Sequence, residues 1–356
     1  MSQSITEIML ALSKEERREM IAVWPDIVRD IVEMVKNLNI PDLAKWVEKV
    51  LQYNVSSGKQ IRGFALIYAY KMLAPKNQLT EDNIRLARIL AWCVEMLLSF
   101  LQIMDDLMDQ SLFRRGKPCW YRHNDIGEAA ITDGVLLEST IYYIIKKYFS
   151  GRECYVDLLE IFQDITFKTS IGESLDLYSS NFGKEPNLDL FTMDRYNVIA
   201  EGKTAYCTYV LPVTVAMRFA GIKDPEMFKQ ATSILLEIGR FFQIQDDYVS
   251  CFGDSATRGK DDTDIPEGKC TWFVVKALQL ATPEQRKILE ECYGVSDPEK
   301  IKRVKQLFTD LNLLDLYTKF EEEMHNEINI HIQQTSCGLP HNLFSNLLGQ
   351  LYRRSS

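Results

Sequence analysis

Glycine and proline are scarce in this chain, 17 and 11 of 356 residues, and long stretches contain neither. These two residues punctuate turns and interrupt regular elements, so their scarcity argues against many short strands joined by tight turns. Histidine is scarcer still, with four copies. None of the eight cysteines (Cys93, Cys119, Cys154, Cys207, Cys251, Cys270, Cys292, Cys337) stands in a Cys-x-x-Cys pair. With no His/Cys set at zinc spacing, a zinc or disulfide scaffold is not expected, and a reducing, cytoplasmic compartment is. No uninterrupted run of 18 apolar residues occurs, so no membrane span is expected. An excess of basic charge is also missing. The net charge is −9, which argues against nucleic acid as a partner. The first 20 residues lack a long apolar core and carry Glu15, Glu16, Arg17, Arg18 and Glu19. They read as neither a secretory signal nor a transit peptide and are expected as a flexible N-terminal segment.

What is present is helical pattern. Hydrophobic residues make up 46 % and charged residues 26 %, an ordinary globular composition. Ile84, Leu86, Ala87, Leu90, Ala91, Val94, Leu97 and Leu98 form a stripe at helical spacing. Ser13-Lys14-Glu15-Glu16 and Thr282-Pro283-Glu284-Gln285 have the form of helix starts, as does Asp297-Pro298-Glu299. Alternating strands bounded by hairpin turns are absent. The pattern predicts an all-α chain, a single domain over 1–356, with loops near 54–58, 74–80, 115–126, 180–188, 253–269 and 335–341. No repeat of 20–50 residues is seen.

Two aspartate clusters carry the chemistry: Asp105-Asp106-Leu107-Met108-Asp109, and Asp246-Asp247-Tyr248-Val249-Ser250. Each follows a largely apolar run. On a helix, residues four apart share a face, so Asp105 and Asp109 would point the same way with Asp106 beside them. Carboxylates crowded beside apolar surface repel one another and are costly to bury, and Mg²⁺ relieves both problems. Two such walls would hold several Mg²⁺ ions, and those ions a polyphosphate. Cations to complement the phosphate lie at Lys59 and Arg62, Arg114 and Arg115, Lys203, Lys260, Lys269, and the tail pair Arg353 and Arg354. Gly202-Lys203-Thr204 resembles the end of a phosphate-binding loop, but position 197 is Asn where that loop needs glycine, so an ATPase reading fails. Phe100 and Leu101, five and four residues before Asp105, could wall an apolar cavity and limit a substrate tail. A metal-bound diphosphate on an apolar chain is the substrate such a site implies.

At these residues the chain resembles the trans-isoprenyl diphosphate synthases, the farnesyl diphosphate synthase type above all. The likeness runs from about Tyr53 to the C-terminus and is most specific at Trp92 to Glu95, Asp105 to Asp109, Ser111 to Tyr121, Phe241 to Asp247 and Cys251 to Asp254. Thr263 to Ile265 and Lys269 to Trp272 add to it. The resemblance implies an all-α isoprenoid synthase helical bundle with a central cavity, usually a homodimer. It implies that Asp105, Asp106, Asp109, Asp246 and Asp247 bind three Mg²⁺ ions, and that Arg114, Lys203, Lys260 and Lys269 grip an allylic diphosphate. Thr204 and Gln243 would line the same cavity. Asp105, Asp106, Lys203 and Asp246 would be catalytic.

The chain also departs from the family pattern. The motif Gly-Gly-Lys-x-Asn-Arg reads Ser57-Gly58-Lys59-Gln60-Ile61-Arg62. Leu98 stands where glutamine is expected, Cys207 where tyrosine is, Ser250 where a third aspartate is, and Asp262 where a glycine is. Lys59, Arg62 and Arg115 would be a residual pocket for a second substrate. Ile61 and Leu98 put aliphatic groups where polar ones should hold isopentenyl diphosphate, and lost charged-group hydrogen bonds cost about 1.5–3 kcal/mol each. The expectation favoured by this pattern is a Mg²⁺-dependent terpene synthase of the insect type, ionising farnesyl diphosphate alone. The alternative is a prenyl elongase that makes farnesyl or geranyl diphosphate. A third is a non-catalytic partner subunit, which the intact aspartates argue against.

Overall fold

The computed structural model describes residues 5–253 and 263–351, with side chains from Lys14 onward. Lys260, Asp262, Arg353 and Arg354 lie outside the described residues. The chain is all-α. In order, the helices are α1 (Ile5–Lys36), α2 (Pro41–Asn54), α3 (Ile61–Leu73), α4 (Glu81–Met108), α5 (Ala130–Phe149), α6 (Tyr155–Ser179) and α7 (Met193–Ile199). A π-helical segment, Ala200–Val210, follows. Then come α8 (Leu211–Phe219), α9 (Pro225–Phe252), α10 (Trp272–Leu280), α11 (Pro283–Cys292), α12 (Pro298–Asp310), α13 (Leu313–Gln334) and α14 (His341–Gly349). A two-residue hairpin, Phe113–Arg114 against Lys117–Pro118, is the strand structure among the described residues.

Among the described residues most of the expected starts and loops are present; of the loop expected at 253–269, residues 254–262 lie outside them. Thr282 forms a full capping box with Gln285, and Pro283 opens α11. Asp297 caps α12 by accepting from the amides of Glu299 and Lys300. Ser13, by contrast, lies inside α1, because that helix already runs from Ile5. Residues 5–20 of the stretch expected as an N-terminal segment belong to α1, which continues to Lys36.

The residues group into two compact units. One comprises Met1–Leu107, Cys119–Phe162 and Leu211–Asp224; the other comprises Met108–Pro118, Gln163–Val210 and Pro225–Ser356. The first is organised on α4. Its predicted stripe is buried from Leu86 to Leu98, with Leu90, Trp92 and Cys93 fully enclosed. The indole of Trp92 donates to the Met20 carbonyl at 2.9 Å and packs on Trp24, which ties α1 to α4. α4 is long and apolar enough to cross a membrane by length and composition, but 72 % of its most apolar window is buried within the protein, as for a core helix. The second unit closes on an aromatic core of Trp272, Phe273, Phe308 and Tyr317, with Tyr248 stacked on Tyr317 at 4.4 Å. This core carries α9 and α10, and with them the second aspartate cluster.

Candidate active site

Two glycines bring the first pair of functional elements into backbone contact. A Cβ on Gly172 of α6 would lie 2.3 Å from the Lys203 amide nitrogen, and one on Gly202 would lie 2.6 Å from the Gly172 Cα. Only glycine permits this approach. It sets Glu173 and Asp176 of α6 against Lys203 of the π segment, a helix type that recurs at functional sites. The Lys203 ammonium lies 3.2 Å from Glu173 and 2.9 Å from Asp176. Lys269, nearly buried, lies 3.3 Å from the same Asp176 oxygen and 2.8 Å from Asp109. The Tyr293 hydroxyl donates to the Lys269 carbonyl at 2.7 Å and fixes that backbone.

Electrostatics favours the charged forms of Asp176 and Lys269. Burial alone would raise the Asp176 carboxyl, but the Lys203 and Lys269 charges override it and hold it below the usual carboxylate range. Burial likewise works against the Lys269 ammonium, and Asp176 and Asp109 more than offset it, so it stays above the ordinary lysine range. Glu267 is the contrasting member. Burial and the neighbouring Asp109 charge push it up to about 8.

A second chain of bonds runs from the π segment into α9 and α10. Gly239 of α9 lies against Ala205, where a Cβ would come within 2.2 Å of the alanine methyl. One turn on, the Thr204 hydroxyl bonds the Gln243 amide oxygen. Gln243 donates to Asp247 at 2.8 Å, and the other Asp247 oxygen accepts the Trp272 amide at 2.8 Å. Burial, with Asp264 nearby, pushes Asp247 up to about 8. Burial and the Asp247 charge also raise the buried Tyr196 phenol well above the tyrosine range.

The structure therefore brings together Asp109, Lys203 and Lys269, and separately Thr204, Gln243 and Asp247, all within the second unit. Asp246 is half-buried beside Asp247. Arg114 and Arg115 sit on the hairpin of that unit, with Arg115 at φ +55° and Gly116 at φ +73° forming its turn. Asp105 and Asp106 occupy the last turn of α4, and Asp106 is buried. α4 ends at Met108, so Asp109 lies one residue beyond the helix on which it was expected. In the first unit, Lys59 is exposed and Arg62 half-buried in the first turn of α3. The buried Glu95 of α4 accepts the Gly63 amide at 2.8 Å, which fixes that turn. Phe100 and Leu101 are half-buried.

Asp176, Glu173, Glu267 and Tyr196 escaped the sequence reading. Glu173 and Asp176 stand three residues apart, so they share a helix face, and that spacing behind Gly172 was the available signal. Among the described residues, no group of three or more acidic, histidine or cysteine side chains could hold a metal unaided. The aspartate oxygens still fit Mg²⁺, which takes one or two carboxylates and completes its shell with water and phosphate oxygens.

Residues 44–311 match the polyprenyl synthetase family. The farnesyl pyrophosphate synthase of Murgantia histrionica is 50 % identical over 96 % of this chain and 83 % of its own length. That of Gallus gallus is 40 % identical over 96 % of this chain and 93 % of its own. Among solved structures, T. brucei farnesyl diphosphate synthase complexed with risedronate superposes with a TM-score of 0.89 at 27 % identity, covering 96 % of this chain and 100 % of that one. The fold is thus the helical isoprenoid synthase fold, and an enzyme of isoprenoid biosynthesis with a Mg²⁺-type chemistry fits it.

These relatives overturn the terpene synthase expectation, because proteins matching nearly the whole chain at 50 % and 40 % identity are farnesyl pyrophosphate synthases. The physical reason lies in what the departures remove. Leu98 is 7 % exposed and packs in the core, and Ile61 is 39 % exposed at the start of α3. Both are neutral positions. The cations Lys59, Arg62 and Arg115 are all kept, and charge-assisted hydrogen bonds are roughly twice as strong as neutral ones.

Proposed function

Because the chain belongs to the polyprenyl synthetase family, we propose that it is a prenyltransferase that condenses isopentenyl diphosphate with an allylic diphosphate to form farnesyl diphosphate. The observation that carries this reading is the largely buried set of Lys203, Lys269, Asp176 and Asp109, in which two cations converge beside a residue of the first aspartate cluster.

In the reaction, the allylic carbon–oxygen bond breaks and its electron pair leaves with diphosphate. The double bond of isopentenyl diphosphate supplies the pair for the new carbon–carbon bond, and a proton is then lost. Lys203, Lys269, Arg114 and Lys260 would bind the departing diphosphate and stabilise the charge that grows on it. Lys59, Arg62 and Arg115 would hold the second diphosphate. Thr204 and Gln243 would orient the reacting end of the allylic chain, with Phe100 and Leu101 enclosing its tail. Asp105, Asp106, Asp109, Asp246 and Asp247 would hold three Mg²⁺ ions, which supply electrostatic stabilisation to the leaving group.

Three further features belong to this reading. The family match runs through both units, which supports a single catalytic domain. On α6, Phe167, Ile171 and Tyr178 form an apolar stripe, 66 %, 49 % and 57 % exposed, which supports a homodimer covering that face. Eight free cysteines support a cytoplasmic setting. The test is incorporation of labelled isopentenyl diphosphate into an acid-labile prenyl diphosphate. Incorporation should require an allylic diphosphate and Mg²⁺; its absence with every allylic diphosphate tried would contradict the proposal.

A further inference from the structure

Asp176 is 5 % exposed, and one of its oxygens takes two cations at once, Lys203 at 2.9 Å and Lys269 at 3.3 Å. Two ammonium groups sharing one oxygen repel each other strongly, so the carboxylate between them is what permits the arrangement. Each lysine also has a second partner drawing it elsewhere, Glu173 at 3.2 Å for Lys203 and Asp109 at 2.8 Å for Lys269. The backbones are already fixed, by the Gly172–Gly202 contact on one side and by the Tyr293 bond to Lys269 on the other. The ammonium groups are carried on flexible four-carbon stems, whose placement follows from the carboxylates they meet.

We propose that Asp176 is a positioning residue that holds Lys203 and Lys269 together as one two-pronged clamp for the diphosphate of the allylic substrate. The proposal rests on the reading of both lysines as diphosphate ligands. Without the Asp176 charge, each lysine relaxes toward its other carboxylate and the clamp opens. A purely electrostatic role gives the opposite sign, since removing a negative charge beside an anion site should tighten anion binding.

The test is calorimetric binding of inorganic diphosphate with Mg²⁺ to the full chain, wild type against Asp176→Asn, Asp176→Glu and Glu173→Gln. The clamp predicts binding about tenfold weaker for Asp176→Asn, the loss of roughly one charge-assisted contact. Asp176→Glu should return to within about threefold of wild type. Glu173→Gln should bind as tightly as wild type or more so, because it removes a carboxylate that competes for Lys203. In the active enzyme, Asp176→Asn should raise the KM for the allylic diphosphate and leave that for isopentenyl diphosphate unchanged, a split that general loosening of the fold does not produce. Unchanged or tighter diphosphate binding in Asp176→Asn overturns the inference. If that variant does not fold, a double-mutant cycle of Lys203→Met and Lys269→Met decides. A clamp gives strongly non-additive losses, and additive losses overturn it. Diphosphate binding is read without turnover, so an inactive wild type would count against the proposed reaction while this inference stands or falls on its own measurement.

Discussion

The Asp247 carboxylate accepts the backbone amide of Trp272 at 2.8 Å, which bonds the second aspartate cluster to the first residue of α10. Its other oxygen accepts from Gln243 at 2.8 Å. Asp247 thus ties α9 to α10, while the adjacent Asp246 is half-buried on the same helix. Asp247→Ala leaves two N–H donors without their acceptor, at about 1–3 kcal/mol for each that stays buried. A fall of several degrees in Tm is expected, by scanning calorimetry. Asp246→Ala should instead lower kcat about a hundredfold or more with little change in Tm, in keeping with loss of a charge-stabilising contact. Equal Tm losses in the two variants would contradict the structural tie that Asp247 makes in addition to its proposed share in metal binding.

Asp247 and Glu267 should make the metal-free protein less stable as pH rises. Both are pushed up to about 8 from ordinary values of 3.8 and 4.5. The folded protein keeps these two protons through a range in which the unfolded chain has released them. Where the native state binds more protons, stability falls with increasing pH, here between roughly pH 4 and pH 8, and the slope vanishes above that range. Tm measured in chelator from about pH 5.5 to 8.5 checks this. Glu267→Gln should flatten the curve relative to wild type.

The Gly172–Gly202 contact should tolerate no side chain. In Gly172→Ala, the new methyl would sit 2.3 Å from the Lys203 backbone nitrogen, and a backbone atom cannot rotate aside. α6 and the π segment must separate, at an overpacking cost of about 1–3 kcal/mol or more. Diphosphate binding and turnover should both drop about tenfold or more, since Glu173 and Asp176 shift with α6.

Arg115 sits in the left-handed region at φ +55°, where a non-glycine residue costs about 1–2 kcal/mol. Arg115→Gly should therefore fold at least as stably as wild type while raising the KM for isopentenyl diphosphate. Stability by urea titration and KM measured side by side separate the turn from the charge. A destabilised variant with unchanged KM would remove Arg115 from the second pocket.

The all-α class was legible because the apolar stripe of α4 and the caps at Thr282 and Asp297 are local signals, and local signals are what sequence carries best. Lys203 and Lys269, both expected at the phosphate, do come together, as do Thr204, Gln243 and Asp247. Asp176 was not legible. The three-residue spacing of Glu173 and Asp176 marks a shared helix face, but the approach of Gly172 to Gly202 that sets Lys203 against it joins residues thirty apart, which local pattern does not reveal. The helix end at Met108 was missed because nothing in Asp105 to Asp109 marks a stop. The choice of reaction is harder to read from sequence, because Ile61 and Leu98 signal lost hydrogen bonds while the charges at Lys59, Arg62 and Arg115 persist.

Product analysis after incubation with Mg²⁺, geranyl diphosphate and isopentenyl diphosphate tests the central claim most directly. Prenyl diphosphates are separated from volatile hydrocarbons and alcohols, with a parallel incubation of farnesyl diphosphate alone. The account predicts farnesyl diphosphate from the first reaction and no volatile terpene from the second. No condensation in the first, together with a volatile terpene from farnesyl diphosphate alone, would contradict it.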